Sequence, residues 1–466
     1  MARVSIEVPE ELASMMEALV GVFDAFDDHS DFAAAEQALM EKTAQLETTA
    51  LLGMLVRLDP DCPQVEFQGK RYRRLRQYAS GLYSGLRGEL RVQRALYREM
   101  GVKNGPTISP MELRAGIVEG RFTPAAAKAV AVLAQALPSR EADLVARSMQ
   151  VLPYSRSAQF RAGVALGSAW ESLPDQTRAA VDDEIEIPEA AVSVSVAVDR
   201  VSMPMAEPRP LTPDDVEKGV KNPITVQLRM AFAGVTTLYD AEGMALMSIR
   251  HAHVPTGGRE AMEQALSGDL DRLLTQRPGL KIVALSDGAG EMQSIVDRAV
   301  VGRSNVAARI TDFWHLTEHL ADALRDTGRY VADQLGDWKG QLLANDGAID
   351  DIEMELRNFR SEYGDGPVPQ GLHEAITFIE NRRERLRYAT THAANLPIGS
   401  GTVEATCKTI VSTRMKRPGA RWKEDGAQPI LALRALATSV TQRWDAAMTE
   451  LLAAYRRQVT LLPEPT

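Results

Sequence analysis

Cysteine is nearly missing: Cys62 and Cys407 are the two in 466 residues, and they stand 345 positions apart. That spacing excludes a disulfide framework, a zinc ribbon and a CxxC redox pair. Each thiol reads as a small core residue. No apolar run approaches the ~18 residues of a membrane span, and Met1 to Glu11 carries no basic stretch leading into an apolar one. A cytoplasmic protein is expected. There is no HExxH, no full GxGxxG spacing, no Walker sequence and no tandem repeat. An excess of positive charge is also missing, since 53 Lys and Arg face 63 Asp and Glu for a net charge of -10. That balance argues against a protein that coats nucleic acid non-specifically. It leaves local contacts open, because clusters rather than totals set the electrostatic footprint. The 45% apolar and 25% charged residues are globular values, and the length allows about three domains.

What charge there is lies strongly partitioned. Residues 1–60 hold twelve acids against Arg3, Lys42 and Arg57, with Leu12, Met16, Leu19, Val20 and Phe23 at helical spacing. An acidic helical segment is expected over 1–66. From Lys70 to Lys103 ten cations, among them Arg71, Arg73, Arg74, Arg91 and Arg94, face only Glu89 and Glu99. Tyr72, Tyr78, Tyr83 and Tyr97 are interleaved, a mixture that suits phosphate contacts with stacking or, equally, a solvated basic face.

Three short helices follow. Thr123-Pro124 starts one, Leu137-Pro138-Ser139 ends it and caps the next, and Leu152-Pro153 precedes a third from about Ser155 to Trp170 carrying Arg156 and Arg161. Beside a basic stretch, they fit a helix-turn-helix-like DNA-binding region over 67–185, although most three-helix stretches are packing units. Leu173 to Pro188 reads as a linker.

After Pro188 the period changes to two. Ala190 to Asp199 alternates Val192, Val194, Val196 and Val198 with small residues and reads as a strand ending on a carboxylate. Strands are predicted over Ile224–Tyr239 and Ala245–His253, then a helix from about Arg259 to Leu274. Next come a strand Lys281–Ser286 ending on Asp287, a helix from about Glu291 to Val300, and a strand Val306–Thr311 ending on Asp312. The order predicts a mixed α/β layout with parallel crossovers. In such sheets ligands collect beyond the strand ends, so Asp199 and Asp287 can converge. Asp287 would equally serve as a helix cap. His251 and His253 read as solvent or interface histidines.

A third acid, Glu404, follows the loop Pro397-Ile398-Gly399-Ser400-Gly401 in the first turn of a predicted helix. Lys408, Arg414, Lys416, Arg417 and Arg421 come after it, with no acid between Lys408 and Lys423. An acid holding a metal ion beside cations that neutralise phosphates is what metal-dependent phosphoryl transfer needs. Asp312, His315 and His319 share a helix face, as a hard metal site or a polar brace would.

These fragments carry a resemblance. Leu285-Ser286-Asp287-Gly288-Ala289, Asp312-Phe313-Trp314-His315-Leu316-Thr317-Glu318-His319-Leu320 and Leu396-Pro397-Ile398-Gly399-Ser400-Gly401-Thr402-Val403-Glu404-Ala405 resemble the DDE transposases of bacterial insertion sequences, specifically the ISKra type. Arg414-Met415-Lys416-Arg417-Pro418-Gly419-Ala420-Arg421-Trp422, Gly426 to Arg434 and Arg443-Trp444-Asp445 extend the match, which covers Ala190 to about Ala447. A weaker likeness at Gly88–Arg94 and Tyr97 lacks the family's cysteines, so no zinc knuckle is expected. The resemblance implies a multidomain α+β protein: a helical N-terminal DNA-binding region, then an α/β ribonuclease-H-like core over 186–466 with a helical insertion at about 321–395. It implies catalytic and metal-holding acids Asp199, Asp287 and Glu404, with Asp312 and His315 supporting them. Arg200 follows Asp199 where the family carries glycine, which leaves Glu207 and Asp240 as other choices for the first acid.

The implied reaction is cleavage at the ends of an insertion sequence and strand transfer, using two Mg2+ ions with Mn2+ as substitute. The partners would be double-stranded DNA, as terminal inverted repeats and target, and further copies of the chain, with the acidic helices as a candidate contact. A structure-selective nuclease on the same fold and a non-catalytic, domesticated DNA-binding protein are the alternatives.

Overall fold

The structure, a computed structural model, describes residues 9–152 and 155–462. It is a mixed α+β protein in two units, Met1–Leu173 with Ala447–Thr466, and Pro174–Ala446. No helix among the described residues is long and apolar enough to cross a membrane.

In the first unit, α1 (Glu10–Asp24) and α2 (Phe32–Leu58) form an acidic hairpin. Asp31 starts α2 by accepting from the Ala33 N–H. Near its C-terminal end, Leu51, Leu52, Leu55 and Leu58 pack with Tyr83, Leu90, Val92 and Met111. The basic stretch folds as β1 (Gln64–Phe67), β2 (Lys70–Arg74), β3 (Ala79–Ser84), β4 (Glu89–Arg94), β5 (Tyr97–Glu99) and β6 (Thr107–Ile108). Strands β3 and β4 pair with each other, while β1, β2, β5 and β6 share an antiparallel sheet. The C-terminal strand Thr460–Leu462 completes that sheet against β1, with Val65 opposite Leu461. The expected 186–466 segment is therefore divided, because this last strand finds its hydrogen-bond partners in the first unit.

Helices α3 (Pro110–Ala115), α4 (Pro124–Ala136), α5 (Ser139–Ser148) and α6 (Arg156–Glu171) complete the unit. The three predicted helices pack on one another, with Ala158, Ala162, Leu166 and Trp170 forming the buried face of α6. The Pro153 break lies outside the described residues.

The second unit opens with α7 (Asp175–Asp183), where a linker is predicted. Pro174 stands at its N-terminus and Asp175 in its first turn, and Val181 is buried. Local polarity hid this helix, which Asp182 ties down by pairing with Arg272 and Arg443. The sheet has the order β11-β10-β7-β8-β9. Its strands are β7 (Ser193–Pro208), β8 (Ile224–Tyr239), β9 (Ala245–His253), β10 (Lys281–Ser286) and β11 (Val306–Thr311). Strands β7, β8 and β9 are antiparallel, whereas β10 and β11 run parallel to β7.

Helices cover both faces. On one, α9 (Gly258–Gln276) and α10 (Gly290–Ala299) bury Leu266, Leu270, Ile295 and Val296 against Val194, Val196, Val198, Ile282 and Ala284. On the other, Ala197, Val235, Val283 and Leu285 meet α11 (Phe313–Asp326), α12 (Val331–Ala344), α13 (Ala348–Ser361) and α14 (Gln370–Arg382). The short α8 (Pro213–Glu217) lies between β7 and β8, and α15 (Ala389–Ala393) precedes α16 (Gly401–Thr406).

Candidate active site

Asp199 does not end its strand. β7 continues to Pro208, and only its pairing with β10 stops, at Ala197 opposite Leu285. Asp199 thus sits beyond the C-terminal end of β10 while still held in the ladder by Ala233 of β8. The period of two puts it on the face of Ala197, and turns Arg200 to the face of Phe232 and α10. There the Arg200 guanidinium pairs with Glu291 at 2.5 Å and lies over the Phe232 ring. The cation next to the acid in sequence points away from it in space. Of the other choices for a first acid, Glu207 pairs with Arg229 at the outer end of the β7–β8 ribbon, and Asp240 closes the turn before β9 by accepting from the N–H groups of Glu242 and Met244.

Asp287 follows the last residue of β10 and accepts from the Ala289 N–H at 2.8 Å. Gly288 turns the corner at φ +95°, and a Cβ there would stand 2.5 Å from Arg382 Nε. Arg382, the last residue of α14, donates through that Nε to the Gly288 carbonyl at 2.6 Å. Its guanidinium lies 4.2 Å from the Phe378 ring centroid.

Asp312 is wholly buried at the N-cap of α11. Its Oδ1 accepts from the His315 N–H at 2.8 Å, and its Oδ2 accepts from the Ser400 N–H. Despite burial, the bonds from His315 and Ser400 hold this carboxyl down at about 2. His315 Nδ1 is 3.5 Å from Asp312 Oδ1, and the hydrogen bond to that carboxylate pushes the imidazole up to about 9. At neutral pH it is protonated. Ser400 Oγ donates to Glu404 Oε1 at 3.3 Å, linking this brace to the exposed acid in the first turn of α16.

Residue Cys407 is where the site departs most from the sequence reading. It opens a π-helix, Cys407–Ser412, that directly continues α16. Its Sγ lies 3.7 Å from Asp199 Oδ2. Burial first, then the fields of Asp199, Glu404 and Asp287, push the thiol well above its ordinary value. The thiol thus touches Asp199 and lies within the fields of Glu404 and Asp287. Burial likewise raises the Asp199 carboxyl, and the Asp287 charge adds to that rise. The only legible hint was the i, i+3 spacing of Glu404 and Cys407, which shares a helix face. A π-helix in such a place is a frequent mark of function.

Two donor sets overlap here. One oxygen or nitrogen each from Asp312, His315 and Glu404 lies within 4.8 Å of the others, and this group could hold a metal ion. A metal ion bound there would displace the His315 proton, and Asp312 would keep its bonds from the His315 and Ser400 N–H groups, since each carboxylate oxygen has a further lone pair. Asp199, Asp287 and Glu404 do not all come within 4.8 Å of one another; what they offer is carboxylate oxygens, the hard donors that Mg2+ and Mn2+ take.

The predicted DNA-contacting cations separate into two kinds. Lys408, Lys416, Arg417 and Arg421 are exposed, but Arg414 is buried with its guanidinium over Trp422. In the first unit Arg71, Arg73 and Arg91 are exposed. Arg74 pairs with Asp61 and Tyr78, and Arg94 pairs with Glu112 at 3.2 Å and lies over Tyr83. Three of the four interleaved tyrosines, Tyr72, Tyr83 and Tyr97, are core residues, because alternation along the strands turns them inward. His251 is no solvent histidine: its Nε2 lies 2.8 Å from the buried Asp269 carboxylate.

No protein-family model and no curated protein matches the chain.

Proposed function

We propose that the chain is a DDE transposase, which cuts DNA at the ends of its element and joins the freed strand to a target with divalent metal. The observation that carries the reading is that Asp199 and Asp287 stand beyond the last paired residues of neighbouring strands β7 and β10, while Cys407, one turn after Glu404, brings its Sγ to 3.7 Å from Asp199 Oδ2. The sheet order, with three antiparallel strands followed by two parallel to the first, supports a ribonuclease-H-like core. In that reading α12 to α15 are the helical insertion, and the exposed cations after Glu404 face the DNA backbone.

The donor set fits Mg2+ or Mn2+. Burial first, and then the Asp287 charge, raise the Asp199 carboxyl, which is a cost of ionising it there. Bound cations would offset it, polarise a phosphodiester and activate the attacking oxygen. The residues do the rest. Asp199 and Asp287 would hold the ions from the sheet, and Glu404 from α16. Asp312 and His315 fix the N-terminus of α11 and the Ser400 loop, which places Glu404. Arg382 fastens the Gly288 corner behind Asp287. Lys408, Lys416, Arg417 and Arg421 would neutralise phosphates, with binding that weakens steeply as salt rises.

The test is cleavage and joining of the gene's own flanking DNA in Mg2+ by wild type and Glu404→Gln. The expected result is nicking at the element boundary and joined product for the wild type, with DNA binding alone for the variant. Nicking without joining would make the protein a nuclease. Binding without cutting by wild type in Mg2+ and Mn2+ would leave a DNA-binding protein.

A further inference from the structure

The return of the C-terminal segment to the first unit builds a feature that the catalytic reading does not use. A cleft of about 570 Å³ is lined by Leu58, Arg114, Arg456, Arg457, Gln458, Val459 and Thr460. Three of its seven lining residues are arginines and none is an acid. The Arg457 N–H donates to the Leu113 carbonyl at 2.8 Å, which seats this segment on α3. Gly116, at φ +68°, ends α3 in the left-handed region, and Arg456 packs beside it. Arg114 Nη1 donates to the Leu58 carbonyl at 2.7 Å, at the C-terminal end of α2. The cleft is thus fixed by the Arg457 backbone N–H and by one donor of the Arg114 guanidinium.

No acid of the surrounding elements lines the cleft. Glu112 of α3 accepts from Tyr83 and pairs with Arg94. Asp59 accepts from the Ala95 N–H, and Asp61 pairs with Arg74. Glu66 stands opposite Thr460 in the ladder without lining the cleft. Glu119 acts on Tyr455 just before the segment, and likewise does not line it. Three arginines lining one cleft with no acid among its lining residues leave a local positive charge that an anion would offset. Planar forks with several donors each suit phosphate oxygens better than a single point charge does.

We propose that this cleft is a phosphate-binding site, with Arg114, Arg456 and Arg457 as its donors. Its ligand is a phosphate group, from a nucleic-acid backbone or a free polyphosphate. The site is separate from the proposed catalytic acids, so its test needs neither metal nor turnover.

The full chain in EDTA is titrated with a labelled duplex of about 30 base pairs across a range of salt, and separately with pyrophosphate by calorimetry. Wild type is compared with Arg456→Gln/Arg457→Gln, which keeps the Leu113 backbone bond, and with Arg456→Lys/Arg457→Lys. For a backbone phosphate, the Gln pair lowers the slope of log affinity against log salt by about 1.8, from two contacts at roughly 0.9 each, and the Lys pair restores most of it. An unchanged duplex slope with pyrophosphate binding lost in the Gln pair assigns the cleft to free phosphates and also supports the site. If the Gln pair melts at the wild-type temperature and neither ligand distinguishes it from wild type, the proposal is overturned. If the Gln pair melts early, Arg114→Gln is titrated instead, and wild-type binding of both ligands by it overturns the proposal equally.

Discussion

Arg382 Nε donates to the Gly288 carbonyl across 94 positions of chain, at 2.6 Å, and so latches α14 onto the corner that carries Asp287. The arginine is half-buried beside Asp287, and the packing leaves no room for a Cβ at Gly288. Partners of this outer kind fix the direction of a ligand carboxylate. Arg382→Ala and Gly288→Ala are both expected to weaken Mn2+ binding by about 10–100-fold. Calorimetry in the absence of DNA reads this directly. Wild-type affinity in both variants would mean that the latch serves folding alone.

The same crowding makes a prediction about stability. The Asp199 carboxyl titrates above its ordinary value through burial and the neighbouring Asp287 charge. A carboxyl raised by folding binds its proton more tightly in the native state, so ionising it costs stability as pH rises past the unfolded value of about 3.9. At pH 7 in EDTA, Asp199→Asn should therefore melt above wild type. Mn2+ should raise the wild-type melting temperature but not that of the variant. A variant that melts lower in EDTA and is still stabilised by Mn2+ removes Asp199 from the metal-holding acids.

Asp269 has the opposite sign. It is buried, and His251, Arg272 and Arg443 outweigh the desolvation that would raise it, holding it well below the carboxylate range. Thr236 Oγ1 donates to it at 2.7 Å and Arg272 at 2.9 Å. A depressed carboxyl stabilises fully above its unfolded value of about 3.9 and loses that contribution as pH falls through the native value. Asp269→Asn should cost about 3–5 kcal/mol at pH 7, the range for breaking a buried pair on one side. Urea unfolding at pH 7 and again near pH 3 checks both points, since the gap between wild type and variant should narrow in acid. A gap that stays constant with pH would refute the assignment.

The two thiols should react at different rates. Cys407 is buried, and burial with the fields of Asp199, Glu404 and Asp287 keeps it protonated. Cys62 is partly exposed, with its Sγ 3.2 Å from the Gln64 carbonyl. Thiolate and access together govern alkylation. Iodoacetamide on the native protein should label Cys62 first, with Cys407 modified only in urea, as peptide mass spectrometry would show. Early labelling at Cys407 would place it on an open surface.

Much of the fold was legible because its signals are local. Alternation gave β8, β9, β10 and β11 with the bounds observed, and proline and glycine marked the starts of α4 and α16. Periodicity also placed Asp287 and Asp312 at strand ends and Glu404 in a first turn, since each position depends on a few neighbouring residues. Other features depended on partners far away. Whether β7 stops at Asp199 depends on where β10 stops beside it, and the sequence of β7 carries no trace of that. The fate of each cation was equally remote: Arg74, Arg94 and Arg414 are held by Asp61, Glu112 and Trp422, while Arg71, Arg73 and Lys416 remain exposed. A charge in sequence is the same in both cases. What differs is whether folding brings it a partner, and that is decided by long-range pairing. The same is true of Arg382 at Gly288, Cys407 at Asp199, and the arginines that the last strand carries back to β1. Composition and period determined which elements form, and tertiary packing alone decided which side chains meet.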